Sequence, residues 1–351
     1  MRALWLAVVL GLCPAPGWAG DAPRPKVLAV VCYHRFGAET EKDPYRISLA
    51  RLDAQLDWLV RDGWANVTLD QVAEALRGHT DALPAKGVLL TVDDGYKAGA
   101  LGAAHFEAHG YRGVYFVNPG SLGSKAFLSW GDLKALEARG HVVASHTSDH
   151  PNMAKVPSDQ DPGQYAAWAW GQLAGSRRLI EQRLGHPVTA LAWPFGAYNP
   201  ALVRAARRAG YTQLYTVSGG LNLAAGLDGL RLRRILLMGH PSLEAFIRHL
   251  RTLPVESPPQ GLAEGDLIYQ PELPRGLSGG GEGLRAVLGN GGLERPWRLP
   301  ADLGPGFHYL VLETGDGAGI RRSPLLFQVA PQAWKPYFDA LDAIPSDRDQ
   351  P

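Results

Sequence analysis

An α/β fold, with parallel strands curled into a barrel or partial barrel, is the architecture predicted between residues 26 and 252. Two observations carry it. Strand-like and helix-like segments alternate over the whole span. The strand-like runs are apolar throughout rather than at every second residue, which marks parallel strands covered on both faces. A third observation bounds the span: after Thr252 the alternation stops and prolines and glycines accumulate.

The elements follow in order. Val27–Tyr33 is a continuous apolar run of strand length. Ser48 caps a helix with Leu49, Leu52, Leu56 and Leu59 on one face, and Gly63 ends it. Thr68 and Gln71 form a capping box for a helix through Leu76, closed by Gly78. Val88–Val92 is the next strand, a helix from about Lys97 to His109 stops at Gly110, and Gly113–Val117 is a strand. Ser129 caps the helix Trp130–Arg139, which Gly140 closes. His141–Ala144 reads as a strand, Tyr165–Leu184 as one long helix, and Val188–Ala192 as a strand. Asn199 and Pro200 supply a cap and a first-turn proline for a helix ending at Gly210. Gln213–Val217 and Arg233–Met238 bring the strands to about seven, and Ser242 caps a last helix through Leu250.

Residues 253–264 form a proline-rich linker. Short runs between glycine turns over 265–330 predict a small antiparallel β module, and 331–351 a tail with one short helix around Trp334, Tyr337, Phe338 and Leu341. Nothing in the module looks catalytic; it could bind a ligand, dock a partner, or simply cover the barrel.

The N-terminus, Met1-Arg2 followed by the apolar Ala3–Leu12 and a small-residue ending at Ala19-Gly20, has the form of a secretory signal peptide over 1–20, which places the mature chain in the periplasm or outside the cell. The apolar run is too short to remain as a transmembrane span. Cys13 suggests a lipid-anchored variant, but Leu12 stands where such signals place a small residue. Of the two cysteines only Cys32 survives cleavage, so no internal disulfide forms, and Cys32 reads as a buried small hydrophobe. The formal net charge of +1, without a basic block, excludes a polyanion partner: no nucleic acid and no charged membrane surface. The arginines at 204, 207, 208, 231, 233 and 234 read as solvated faces or salt-bridge partners.

The chemistry gathers at strand ends. Val88–Val92 runs into Asp93-Asp94-Gly95, and His141–Ala144 into Ser145-His146-Thr147-Ser148-Asp149-His150. Other strands end at His34, at Asn118, at Trp193-Pro194-Phe195-Gly196 and at Gly239-His240. In a parallel barrel the carboxyl ends of the strands share one face, so these residues meet there. One helical turn would put His146 and His150 on the same side. Two imidazoles and one carboxylate are the donor set of a hydrolytic zinc site, leaving the second carboxylate as a base for water. Trp193, Tyr96, Trp168 and Trp170 are candidates for stacking on a bound ligand, with core packing the better reading for the last two.

Thr91-Val92-Asp93-Asp94-Gly95-Tyr96, Ser145–Pro151 and Trp193-Pro194-Phe195-Gly196 resemble the first three motifs of the polysaccharide deacetylase family, carbohydrate esterase family 4, and the likeness covers roughly Lys26–Leu250. It implies a distorted parallel β/α barrel and removal of acetyl groups from N-acetylated sugar polymers, usually with zinc. With the early Tyr33-His34 pair, the chain looks most like the exported poly-β-1,6-N-acetylglucosamine deacetylases of biofilm systems. Peptidoglycan, chitin oligomers and acetylated xylan are alternative substrates, and a glycan-binding protein with a vestigial site the alternative class. The resemblance assigns Asp94, His146 and His150 to the metal, Asp93 to the general base, and the Phe195 backbone N–H to the oxyanion. His34 is the general acid by likeness to the biofilm type, or His240 by likeness to the rest. His79, His105, His109, His186, His249 and His308 have no such context and read as surface residues. The arginine that braces the base in the third motif is missing, with Ala192 near its place, so another group must orient Asp93.

Overall fold

The computed structural model describes residues 25–40, 42–254, 266–269, 285–288, 291–292, 303–316 and 319–345. The signal peptide and nearly all of the proline-rich linker lie outside the described residues.

All seven expected strands are present: β1 (Val27–Tyr33), β2 (Lys86–Val92), β3 (Gly113–Val117), β4 (Val142–Ser145), β5 (Ala190–Ala192), β6 (Gln213–Tyr215) and β7 (Ile235–Leu236). β1 to β6 pair in sequence order, every step parallel. β7 returns to pair parallel with the outer side of β1. Every residue of β1 is buried, as an apolar strand covered on both sides must be. One short stretch, Asn222–Leu223, runs antiparallel to the start of β1.

The segment 229–237 curls the sheet. It bonds β6 on one side, through Leu214 N to Gly229 O at 2.7 Å and Thr216 N to Leu232 O at 2.9 Å, and β1 on the other, through Leu237 N to Cys32 O at 3.1 Å. It forms so little regular strand because the Asn222 side chain intrudes, bonding Leu28 O at 3.3 Å and Arg233 O at 3.0 Å. The result is a curled, distorted barrel with helices outside and the strand carboxyl ends on one face.

The helices start where the caps predict. Ser48, Thr68, Ser129, Asn199 and Ser242 each accept a backbone N–H in the first turn of α1 (Leu49–Arg61), α2 (Leu69–Leu76), α5 (Trp130–Ala138), α8 (Pro200–Arg208) and α9 (Leu243–Arg251). Two helices differ from expectation. The one expected over Lys97–His109 breaks at Leu101-Gly102 into α3 (Lys97–Ala100) and α4 (Ala103–Ala108), because Phe36 packs so tightly against Gly102 that a Cβ there would lie 2.4 Å from its ring. The one expected over Tyr165–Leu184 starts earlier, with Asp161 as its cap, and consists of α6 (Pro162–Trp170) and α7 (Ser176–Leu184) joined by a π-helical turn, Gly171–Gly175.

The π turn points its freed carbonyls at the loop after β4. Ser148 N bonds Gln172 O at 3.1 Å, and Ser148 Oγ bonds Gly171 O at 3.2 Å. The Gln172 side chain completes the clamp, accepting from Asp149 N at 3.0 Å and donating to Asp149 Oδ2 at 2.8 Å.

Beyond residue 265 lies a second sheet. β11 (Gly306–Asp316) and β12 (Gly319–Ala330) form a long antiparallel hairpin; β9 (Arg285–Leu288) and β10 (Gly291–Gly292) extend it antiparallel. β8 (Leu267–Tyr269) departs from the expected pattern by pairing parallel with β12. The sheet is tied to the barrel by the buried Gln328, which bonds Asn199 Nδ2 at 3.2 Å and Ala154 O at 2.7 Å. The expected C-terminal helix, α10 (Lys335–Asp342), packs on α6 and α8, with Arg204 bonding Asp342 at 2.9 Å. No helix among the described residues is long and apolar enough to cross a membrane.

The clamp yields a prediction. Gln172→Leu removes both bonds to Asp149, an exposed residue that water can serve instead, which costs about 0.5–1.5 kcal/mol. Unfolding temperature should fall by a few degrees, and hydrogen exchange at residues 146–150 should accelerate more than elsewhere. Equal protection across the loop in both proteins would refute the clamp.

Candidate active site

β2 ends inside the barrel mouth. Asp93 continues the ladder for one more bond, its N donating to Tyr33 O at 2.9 Å, so its side chain stays among the strands and is 2% exposed. Asp94 then turns the chain with φ 75, aiming its carboxylate at the loop after β4. That loop is not the helical turn expected from the four-residue spacing of its histidines. It is irregular, with Thr147 at φ 64 and His150 at φ 60, and these two reversals bring the imidazoles together. Gly120 lets the loop lie close: its N donates to Ser148 O at 2.8 Å, and a Cβ there would sit 2.0 Å from Asp149 Oδ1. Four of the five described non-glycine residues with positive φ are Asp94, Thr147, His150 and Phe195, all at this mouth. Strain concentrated at one place is a mark of function.

Asp94 Oδ1 lies 3.5 Å from His146 Nε2 and 3.3 Å from His150 Nε2. His146 Nδ1 bonds Ala192 O at 2.7 Å, which fixes Nε2 toward the cluster. One donor atom from each of Asp94, His146 and His150 lies within 4.8 Å of the others. Asp94 Oδ1 is buried and accepts no hydrogen bond within the bond geometry, an orphan that a cation would satisfy. The donor set and that orphaned oxygen fit a divalent metal of the zinc type.

Asp93 is held from the other side. Arg234 Nη1 lies 2.7 Å from Asp93 Oδ1, and both side chains are almost fully buried. The same guanidinium donates from Nε to Thr216 O at 2.8 Å and lies 5.6 Å from the Phe116 ring centre. Of the two readings left open for the arginines, solvated face or salt-bridge partner, Arg234 takes the second, and fully buried. It fills the post of the missing third-motif arginine from a different strand. Its sequence setting hides this, because Arg234 is the last of three arginines that precede the apolar Ile235–Met238. Cys32 also departs from a purely apolar role, its thiol approaching Asp93 Oδ2 at 3.5 Å.

Electrostatics follow from this packing. Burial pushes the Asp93 carboxyl up, but the Arg234 charge and nearby imidazoles outweigh it and hold the group well below the usual carboxylate range. Burial likewise opposes charge on His146, yet Asp93 and Asp94 raise its pKa. Burial and the His146 charge lower His150 to about 4. His34 is lowered too, first by burial, and its Nδ1 is buried without a partner.

A cavity of about 350 Å³ opens over these groups. His34, Asp93, Asp94, His146, His150, Trp193, Phe195 and Arg234 all line it. His240 does not; its Nε2 faces Asp43 O at 3.2 Å. The other histidines set aside from sequence also lie outside it: His79, His105 and His186 pair with Glu74, Asp53 and Glu137. Among the aromatics, Trp193 is fully buried and stacks on Tyr198, so it walls the cavity rather than offering a face. Tyr96 is sandwiched between Phe127 and Arg35, and Trp170 is core.

The geometry can be set beside known proteins. The polysaccharide deacetylase family matches residues 80–214. YxkH of Bacillus subtilis, a candidate polysaccharide deacetylase, is 25% identical over 199 residues, covering 56% of this chain and 67% of that protein. The poly-β-1,6-N-acetyl-D-glucosamine N-deacetylase of Escherichia coli is 25% identical over 260 residues, 64% of this chain but 38% of its own length. The structure of IcaB from Ammonifex degensii superimposes with TM-score 0.55 at 26% identity, covering 65% of this chain and 99% of that one. Residues 80–214 thus match the polysaccharide deacetylase family, carbohydrate esterase family 4, and the curled sheet has the fold of solved deacetylases.

Proposed function

We propose that this chain removes acetyl groups from an exported N-acetylhexosamine polymer of the poly-β-1,6-N-acetylglucosamine type, by metal-dependent hydrolysis. One observation carries the reading: two adjacent carboxylates do opposite jobs. Asp94 faces two imidazoles with an unsatisfied oxygen, while Asp93, 3.8 Å from His146 Nε2, is paired with a buried arginine of its own. The polymer type is supported by the named activity of the Escherichia coli relative and by the place of His34 at the cavity. The apolar N-terminal sequence supports export, and the second sheet is the part free to meet export machinery.

Asp94, His146 and His150 would hold the cation, with zinc best suited to two nitrogens and one oxygen. When bound it supplies a positive charge that acidifies water and polarises the acetyl oxygen. Asp93, kept ionised by Arg234, takes a proton from the attacking water. The water oxygen adds to the acetamide carbon, and the charge gained by the acyl oxygen is met by the Phe195 N–H. That amide is left out of the turn's own bonds, which run from Gly196 N to Trp193 O and from Ala197 N to Pro194 O. His34 gives a proton to the nitrogen as the C–N bond breaks, so an amine leaves instead of an amide anion. An imidazolium made more acidic by burial donates that proton readily.

Three outcomes test this. Asp93→Asn should retain metal, measured by elemental analysis, while acetate release from acetylated oligomers falls roughly 10²–10⁴-fold. Exhaustive chelation should abolish release and added zinc restore it; full activity in metal-free protein would end the proposal. In Arg234→Gln, burial acts on Asp93 with its largest opposing charge gone, so its pKa rises. The base is then ionised only at higher pH, and the acidic limb of kcat/KM should move up in pH. A limb that stays in place would separate Arg234 from the base.

A further inference from the structure

Phe195 poses a problem that its backbone role does not solve. An N–H for the oxyanion needs only an amide, which any residue other than proline provides. The position has φ 59 and ψ 6, a left-handed conformation that glycine adopts freely and a bulky side chain does not. Yet a phenylalanine stands there, and its side chain is 65% exposed. Neither stability nor burial explains it, since the residue accepts strain in order to hold an aromatic ring in water.

Its surroundings say what the ring can meet. The described residues expose four large hydrophobics, Val60, Leu101, Phe195 and Met238, and the last two line the single cavity over Asp94 and His146. The ring packs against His150 at 4.7 Å between centres, inclined by 64°, which fixes its direction. At about 350 Å³ the cavity is near the small end of ligand pockets, roughly 300–1,000 Å³. A polymer must therefore place one unit inside and run across the rim. An acyclic acetylated amine offers no ring face to such a rim. A β-linked hexosamine does present one: its substituents are equatorial, so both ring faces are axial C–H bonds, which match the negative face of an aromatic ring.

Resting on the deacetylase reading above, we infer that the Phe195 side chain is a platform for the pyranose ring of the substrate, with Met238 beside it on the rim, and that it selects sugar rings over other acetylated chains. Its left-handed backbone is the cost of holding that platform next to the reacting acetyl group.

The test uses the full chain in the Asp93→Asn background, so that nothing turns over, and a pentamer of β-1,6-linked N-acetylglucosamine. Phe195→Gly and Phe195→Asn keep the amide and suit the backbone but remove the ring. Both should weaken pentamer binding by roughly 10–100-fold, the range of a lost aromatic contact. Phe195→Tyr should bind like the parent. Because glycine relieves the strain, Phe195→Gly should also raise the unfolding temperature, by about 2–4 °C. Undiminished binding by Phe195→Gly would overturn the platform, and so would a lowered unfolding temperature, which would make the ring a packing residue. If the unsubstituted protein releases no acetate from the pentamer, the deacetylase reading fails instead. If it does release acetate and Phe195→Gly binds as tightly, that reading stands and the platform falls.

Discussion

A carboxylate with almost no water around it survives in this barrel because one guanidinium reaches it from the closing strand. Asp93 sits 2% exposed at the end of β2, and Arg234 meets it at 2.7 Å. An isolated buried carboxylate would take up a proton rather than stay charged. The arginine reverses that preference and is itself secured by Thr216 O and the Phe116 ring. The base, the barrel closure and the segment 229–237 are thus one construction. Disturbing the closure would change the charge on the base before it moved any other group in the cavity.

Neighbouring Asp94 shows how one residue of separation divides two chemistries. Asp93 keeps the extended backbone of the strand and faces inward. Asp94 takes a left-handed backbone and faces the two imidazoles. The same amino acid pairs with a guanidinium in one setting and faces two imidazoles in the other, by backbone direction. The loop opposite achieves its half through two more reversals, at Thr147 and His150, and depends on the π turn for its hydrogen bonds.

Much of this was legible in the chain. Apolar runs located all seven strands, since a doubly covered strand has no polar alternation to hide it. Side chains with local duties, such as Ser48, Thr68 and Ser129, located helix starts. The gathering of His34, Asp93, Asp94, His146, His150 and Phe195 followed from strand ends sharing a face. What escaped was non-local. Nothing near Arg234 in sequence says that it points inward at a residue 141 positions away. The loop form of His146–His150 escaped because a spacing of four satisfies a helix equally well. The break at Gly102 needs Phe36 in view, and the π turn needs the loop it serves.

The closing segment also bears on the history of each molecule. Arg234 enters the polypeptide long after both carboxylates and both imidazoles have been made. Until β7 docks on β1, Asp93 lacks the charge that does most to keep it ionised in an apolar surround. A half-built barrel would hold every cation donor yet no working base. On the proposed reading, the base is therefore completed only when the closing strand is in place.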